Sequence, residues 1–216
     1  MRLLLLMGSA LALSSAAGAV TVVNGSFEDG IAIGPSGVAA LATDDSTSLP
    51  GWKVLADGVD LVDSTVYQAS NGNRSVDLST GTPGGVMQRI GGFTQGLTYQ
   101  ISFDLSADPN DPAVRPKTKR AVVSATGGSP SIFDYVLTDA NSPTDMRWQT
   151  YTYRFVASSA FQNIQFRSLD QSEFGIVLDN VAISAVPEAA SWALMIAGFG
   201  MVGFAARRRR GRVVSA

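Results

Sequence analysis

Neither cysteine nor histidine occurs in the 216 residues. Without histidine the chain has no Ser-His-Asp or Cys-His catalytic set and none of the usual histidine-bearing zinc sites. Without cysteine no disulfide staples the fold, so its stability rests on core packing or on a bound ion. Glutamate is scarce too: between Val20 and Ala185 only Glu28 and Glu173 occur. A glycosidase needs two carboxylates across a groove. Asp57, Asp60, Asp63, Asp77 and Asp104 supply raw material, but their spacing singles out no pair. The same stretch holds 10 Lys plus Arg against 17 Asp plus Glu, a net charge of −7. That balance argues against a nucleic-acid partner, whose phosphates call for a cationic surface.

What the central stretch does have is alternation. Leu97, Tyr99, Ile101, Phe103 and Leu105 alternate with polar residues, and Tyr151, Tyr153 and Phe155 repeat the pattern, followed by Phe161, Ile164 and Phe166. Period two means strands with one buried face. Further strands are predicted at 20–23, 52–55, 59–63, 75–78, 86–90, 121–125, 132–137 and 176–183. Asn71-Gly72, Pro83-Gly84-Gly85, Gly91-Gly92 and Gly127-Gly128-Ser129-Pro130 supply turns between them. No internal stretch sustains a capped helical stripe. Residues 20–185 therefore read as one all-β domain, a jelly-roll β-sandwich. The stretches 30–48 and 108–119 read as loops at one end of it, and the basic run Arg115–Arg120 as an exposed loop or a grip for an acidic polysaccharide. Trp52 and Trp148 read as core residues or sugar platforms; Tyr67, beside a turn, reads as more exposed.

Both termini read as targeting segments. Residues 1–19 form a signal peptide, with Arg2, the apolar run from Leu3, and Ala17-Gly18-Ala19 before a cleavage point between Ala19 and Val20. Residues 186–216 carry a short motif, an uncharged run over 191–206 and Arg207, Arg208, Arg209, Arg210 and Arg212. The run reads as a single hydrophobic helix, a marginal transmembrane span of about 24 Å against a hydrocarbon thickness of about 30 Å. Gly198, Gly200 and Gly203 spell a dinucleotide-binding fingerprint, but no strand precedes them and no acidic residue follows. They read instead as a close-packing helix face.

The tail resembles the PEP-CTERM sorting signal in the variant with a Trp-Ala pair: Pro187, Glu188, then Trp192-Ala193, the glycine-rich helix and the arginines. Ala189 stands where the second proline usually does. The resemblance implies an exosortase and the secretion machinery as partners, a Gram-negative host and a membrane-anchored precursor. The expected localisation is the cell surface or extracellular matrix. A permanent C-terminal anchor is the alternative.

A second resemblance covers the domain. Asn24-Gly25-Ser26-Phe27-Glu28, Leu49-Pro50-Gly51-Trp52, Val59-Asp60-Leu61-Val62, Ser75-Val76-Asp77-Leu78 and Leu178-Asp179-Asn180-Val181 occur in the order seen in the choice-of-anchor C and DUF642 group. It implies a galactose-binding-like jelly roll, extracellular and associated with carbohydrate or exopolysaccharide, with no catalytic residues. In such sandwiches the first and last strands lie side by side, which brings Glu28 towards Asp179, and related modules carry a structural calcium near these segments. Calcium takes its oxygens from carboxylates and carbonyls, so Glu28 and Asp179 are candidate ligands; the alternative is solvated or arginine-paired residues. No other cofactor is expected. A structural biofilm component without sugar binding and a glycan-active hydrolase are the alternative functions.

Overall fold

The structure, a computed structural model, describes residues 20–187, 196–203 and 207. The alternating stretches form eleven strands: β1 Val38–Leu41, β2 Lys53–Ala56, β3 Val59–Asp63, β4 Arg74–Asp77, β5 Gly84–Gly91, β6 Thr98–Ala107, β7 Lys117–Ala125, β8 Ser131–Leu137, β9 Gln149–Val156, β10 Phe161–Ser168 and β11 Ile176–Ala185. A six-stranded sheet runs β1-β3-β4-β11-β6-β9 and a five-stranded sheet β2-β5-β10-β7-β8, with every pairing antiparallel. The fold is an all-β jelly-roll sandwich. Its core lies where the inner faces meet: Phe103 of β6 packs edge-on against Phe166 of β10 at 5.1 Å, and Trp52 meets Phe166 at 6.1 Å. Trp52 is 2 % exposed, so it is core.

Three expectations change. Residues 20–23 are not a strand. The buried side-chain amide of Gln88 stands in for a neighbouring strand: Val23 N donates to Gln88 Oε1 and Gln88 Nε2 donates to Val23 O, each at 2.8 Å. The stretch 30–48 is not all loop, because Val38–Leu41 pairs with β3 as an edge strand. The run Arg115–Arg120 is no solvated loop. Lys119 is 1 % exposed and pairs with Asp111 at 2.6 Å, and the Arg115 guanidinium donates to the carbonyls of Thr138 at 2.9 Å and Pro109 at 2.5 Å. The first bond ties 108–116 to β7 and the Thr138 bond ties it to the turn after β8, since a buried ammonium must be paired to be tolerated.

At the C-terminus, Val186 N still donates to Thr98 O at 2.9 Å, and Pro187 follows as an exposed residue that cannot extend the ladder. The domain is thus closed before the sorting motif begins. Within the expected span over 191–206, residues 196–203 are helical, with Ile196, Phe199, Met201 and Val202 each more than two-thirds exposed. No helix among the described residues is long and apolar enough to cross a membrane. The rest of that span lies outside the described residues, as do the signal peptide up to Ala19, Glu188, Trp192, Ala193 and Arg208–Arg210.

Candidate functional site

Three of the five segments quoted for the resemblance, 24–28, 49–52 and 178–181, converge on one junction. Asn24, in the left-handed region at φ 51°, bonds the backbone of Asp29 through both ends of its amide and donates to Pro50 O. Gly25 lies so close to β11 that a Cβ would stand 2.0 Å from the Val181 carbonyl, and Gly25 O accepts from Val181 N at 2.8 Å. No side chain fits there. The approach falls at the bulge of β11, where the register with β6 shifts between Asp179 and Ala182. Phe27, fully buried, packs on Trp52 at 5.3 Å, and Trp52 Nε1 donates to Asn24 O at 2.9 Å.

Glu28 and Asp179 then hold opposite ends of one loop. Glu28 Oε1 accepts from Asn73 N at 2.7 Å and Arg74 N at 2.8 Å; Asp179 Oδ2 accepts from Ser70 N and Asn71 N, both at 2.8 Å. Asp179 lies opposite Asp104, its register partner across β6 and β11. Burial pushes the Asp179 carboxyl up to about 7, against the loop amides that favour its charge, and Asp104 adds to the rise. Asp104 itself accepts from Ser70 Oγ, Thr150 Oγ1 and Asn180 Nδ2. Asp179 is fully buried and Asp104 is 5 % exposed, so no glycosidic oxygen reaches this pair in the arrangement seen.

The outer face of the six-stranded sheet continues in the same character. Asp60 and Asp77 are register partners on β3 and β4, and Asp77 accepts from Ser79 N and Gly175 N. Burial raises Asp77 far above the ordinary aspartate value and raises Asp60 and Asp108 beside it. Tyr67, expected to be exposed, covers this face instead. It is 2 % exposed in a second small core with Val62, Met146 and Val177, against which Trp148 lies half-buried.

The five-stranded sheet presents the opposite kind of outer face. Phe161 opens β10 and is 51 % exposed, with the Arg89 guanidinium carbon 4.2 Å from its ring centroid. A Cβ on its register partner Gly91 would stand 2.7 Å from the ring, so glycine lets the ring lie down on the sheet. Alternation places Asn163, Gln165 and Arg167 on the same side of β10, and Val122 and Ser124 face them from β7. A pocket of about 490 Å³ opens where the Gly127–Ser129 turn meets β9, lined among others by Tyr153, Arg154 and Phe155. Sequence reasoning missed this face. The signal was present in the outward positions of β10, which carry an aromatic, two amides and a guanidinium.

Residues 20–184 match the family model DUF642, described as a protein of unknown function. The chain belongs to the DUF642 family. Residues 185–210 of this DUF642 protein match the PEP-CTERM protein-sorting motif, which marks an exported protein of the cell surface. Halomucin from Haloquadratum walsbyi is 30% identical over 142 residues, which are 64% of this chain and 1% of that protein. Among solved structures, a family 35 carbohydrate binding module from Clostridium thermocellum is similar, with a TM-score of 0.45, 12% identity, and coverage of 69% of this chain and 98% of that one. The CBM22-1 xylan-binding domain of Paenibacillus barcinonensis Xyn10C has a TM-score of 0.41, 14% identity, and coverage of 70% and 95%.

Proposed function

We propose that this DUF642 protein is a non-catalytic component of the cell surface that associates with exopolysaccharide, and that an exosortase sorts it through its C-terminal signal. The observation that carries the reading is the open face of the five-stranded sheet. An exposed aromatic edge and the guanidinium laid on it, beside the amides of Asn163 and Gln165 that match hydroxyls, are the chemistry by which a protein holds a sugar chain without reacting with it. The closed burial of Asp104 and Asp179 supports the absence of catalysis. The position of Pro187 just past the last ladder bond supports processing, because cleavage beyond it removes no strand.

A structural calcium ion at Glu28 and Asp179 belongs to the same proposal. Among the described residues no group of three or more acidic side chains is placed to hold a metal, so an ion would draw on these two carboxylates and on carbonyls of the turns around them. The role of such an ion would be to fasten the junction of the first turn and the last strand.

The test is fractionation of cells with and without the exosortase. Sorting and glycan association predict loss of the segment after Pro187 by intact mass only where the enzyme is present, with the protein recovered in the exopolysaccharide fraction. An intact tail in both strains refutes sorting. Recovery as free protein, apart from polysaccharide, favours the reading as a structural component without sugar binding.

A further inference from the structure

The two sheets differ in charge. The five strands of one sheet carry six Lys or Arg and a single acidic residue, Asp134. The six strands of the other carry five Asp and two Arg. A domain of net charge −7 thus concentrates positive charge on one side. Two of the six cations are already neutralised: Lys53 by Asp44 at 2.7 Å and the inward Lys119 by Asp111 at 2.6 Å. Arg89, Arg120 and Arg167 are exposed on the outer face and form no salt bridge among the described residues.

Their register makes them a line. Arg89 on β5 is opposite Asn163 of β10, Arg167 is four residues further along β10, and Arg120 on β7 lies beyond it, where its carbonyl accepts from Leu169 N. From Phe161 to the level of Leu169 the line runs eight residues, about 26 Å at the rise of a strand. The ring of Phe161 holds the Arg89 guanidinium over its face, which orients the cation without discharging it. Aromatic, amide and guanidinium groups therefore follow one another across β5, β10 and β7, with one carboxylate at the far end, that of Asp170, which accepts from Arg120 N at 2.9 Å.

We infer that this face binds an anionic polysaccharide, one whose carboxylates pair with Arg89, Arg167 and Arg120 while its hydroxyls meet the amides of Asn163 and Gln165. The inference rests on the glycan-binding reading above and narrows it to acidic sugars. Guanidinium and carboxylate match as bidentate partners, and pairs at an open surface weaken as salt rises. The opposite sheet offers the polymer no such line of cations, since its strands carry only Arg74 and Arg154.

The experiment is calorimetric titration of the full chain with polygalacturonate, with the same polymer after carboxyl reduction, and with phosphatidylserine vesicles. Expected are binding of polygalacturonate that weakens with added salt, little binding of the reduced polymer and none of the vesicles. Arg89→Gln combined with Arg167→Gln should weaken binding by about tenfold or more, whereas Arg147→Gln, at an exposed arginine paired with Asp145 ahead of β9, should leave it unchanged. These surface variants should melt with the parent. Equal, salt-independent binding of both polymers overturns the inference and leaves glycan binding standing. Binding of vesicles but not of polygalacturonate overturns it in favour of a membrane surface. Binding of no polymer overturns both readings.

Discussion

At the scale of single residues, the buried aspartates are the least expected feature. Asp77 alternates with Val76 and Leu78 in the way that marks a solvent face, yet it is 2 % exposed because Tyr67 and the segment ending at Trp148 fold over that face. Alternation reports which side of a strand a residue is on, not what a distant loop later lays across it. The consequence is measurable. A carboxyl held well above its ordinary value of 3.8 keeps its proton in the folded state at pH values where the unfolded chain has lost it. The folded state then binds more protons, and stability falls as pH rises from that ordinary value towards the raised one. Asp60 and Asp108, also raised, act in the same sense. Asp111, lowered through Lys119, acts in the opposite sense and only in more acidic solution. The melting temperature should therefore be higher in mildly acidic buffer than at neutral pH, and Asp77→Asn, which mimics the protonated acid, should flatten that slope. An unchanged slope in the variant would assign the pH dependence to other groups.

At the scale of elements, the strands with long alternation were legible: β6, β8, β9 and β10 lie within two residues of where the periodicity puts them. The exceptions have local causes. Val38–Leu41 is four small or apolar residues with no alternation to read. Residues 20–23 look like a strand because their backbone does find partners, but Gln88 supplies them with a side chain. The motif junction was half legible. The order of the segments indicated that Glu28 and Asp179 belong together, but not that each clamps an end of the loop 70–74. Those clamps and a bound ion make different predictions. With a calcium ion between these segments, chelator lowers the melting temperature, and Asp179→Asn abolishes that sensitivity. If melting is the same with and without chelator, the loop amides alone account for the two carboxylates. Gly72, at φ 84° with Glu28 Oε1 where a Cβ would stand, is fixed by the same clamp.

At the scale of the whole molecule, the fold separates its tasks by side and by end. One sheet buries its acids under loops, the other leaves a flat cationic face open, and Pro187 of the sorting motif follows the last ladder bond. The sequence disclosed the tail because its signals are contiguous. It pointed to Arg120 alone, within the basic run, and concealed the rest of the binding face because Arg89, Phe161 and Arg167 lie on two other strands and meet it only through register. Retention of the purified full chain on exopolysaccharide from the producing cells, compared with its Phe161→Ala, Arg89→Gln, Arg167→Gln variant, tests the account at its centre. The parent should be retained and released by salt, and the equally stable variant should pass through. Retention of parent and variant alike would contradict the assignment of the face, and passage of both would contradict glycan association itself.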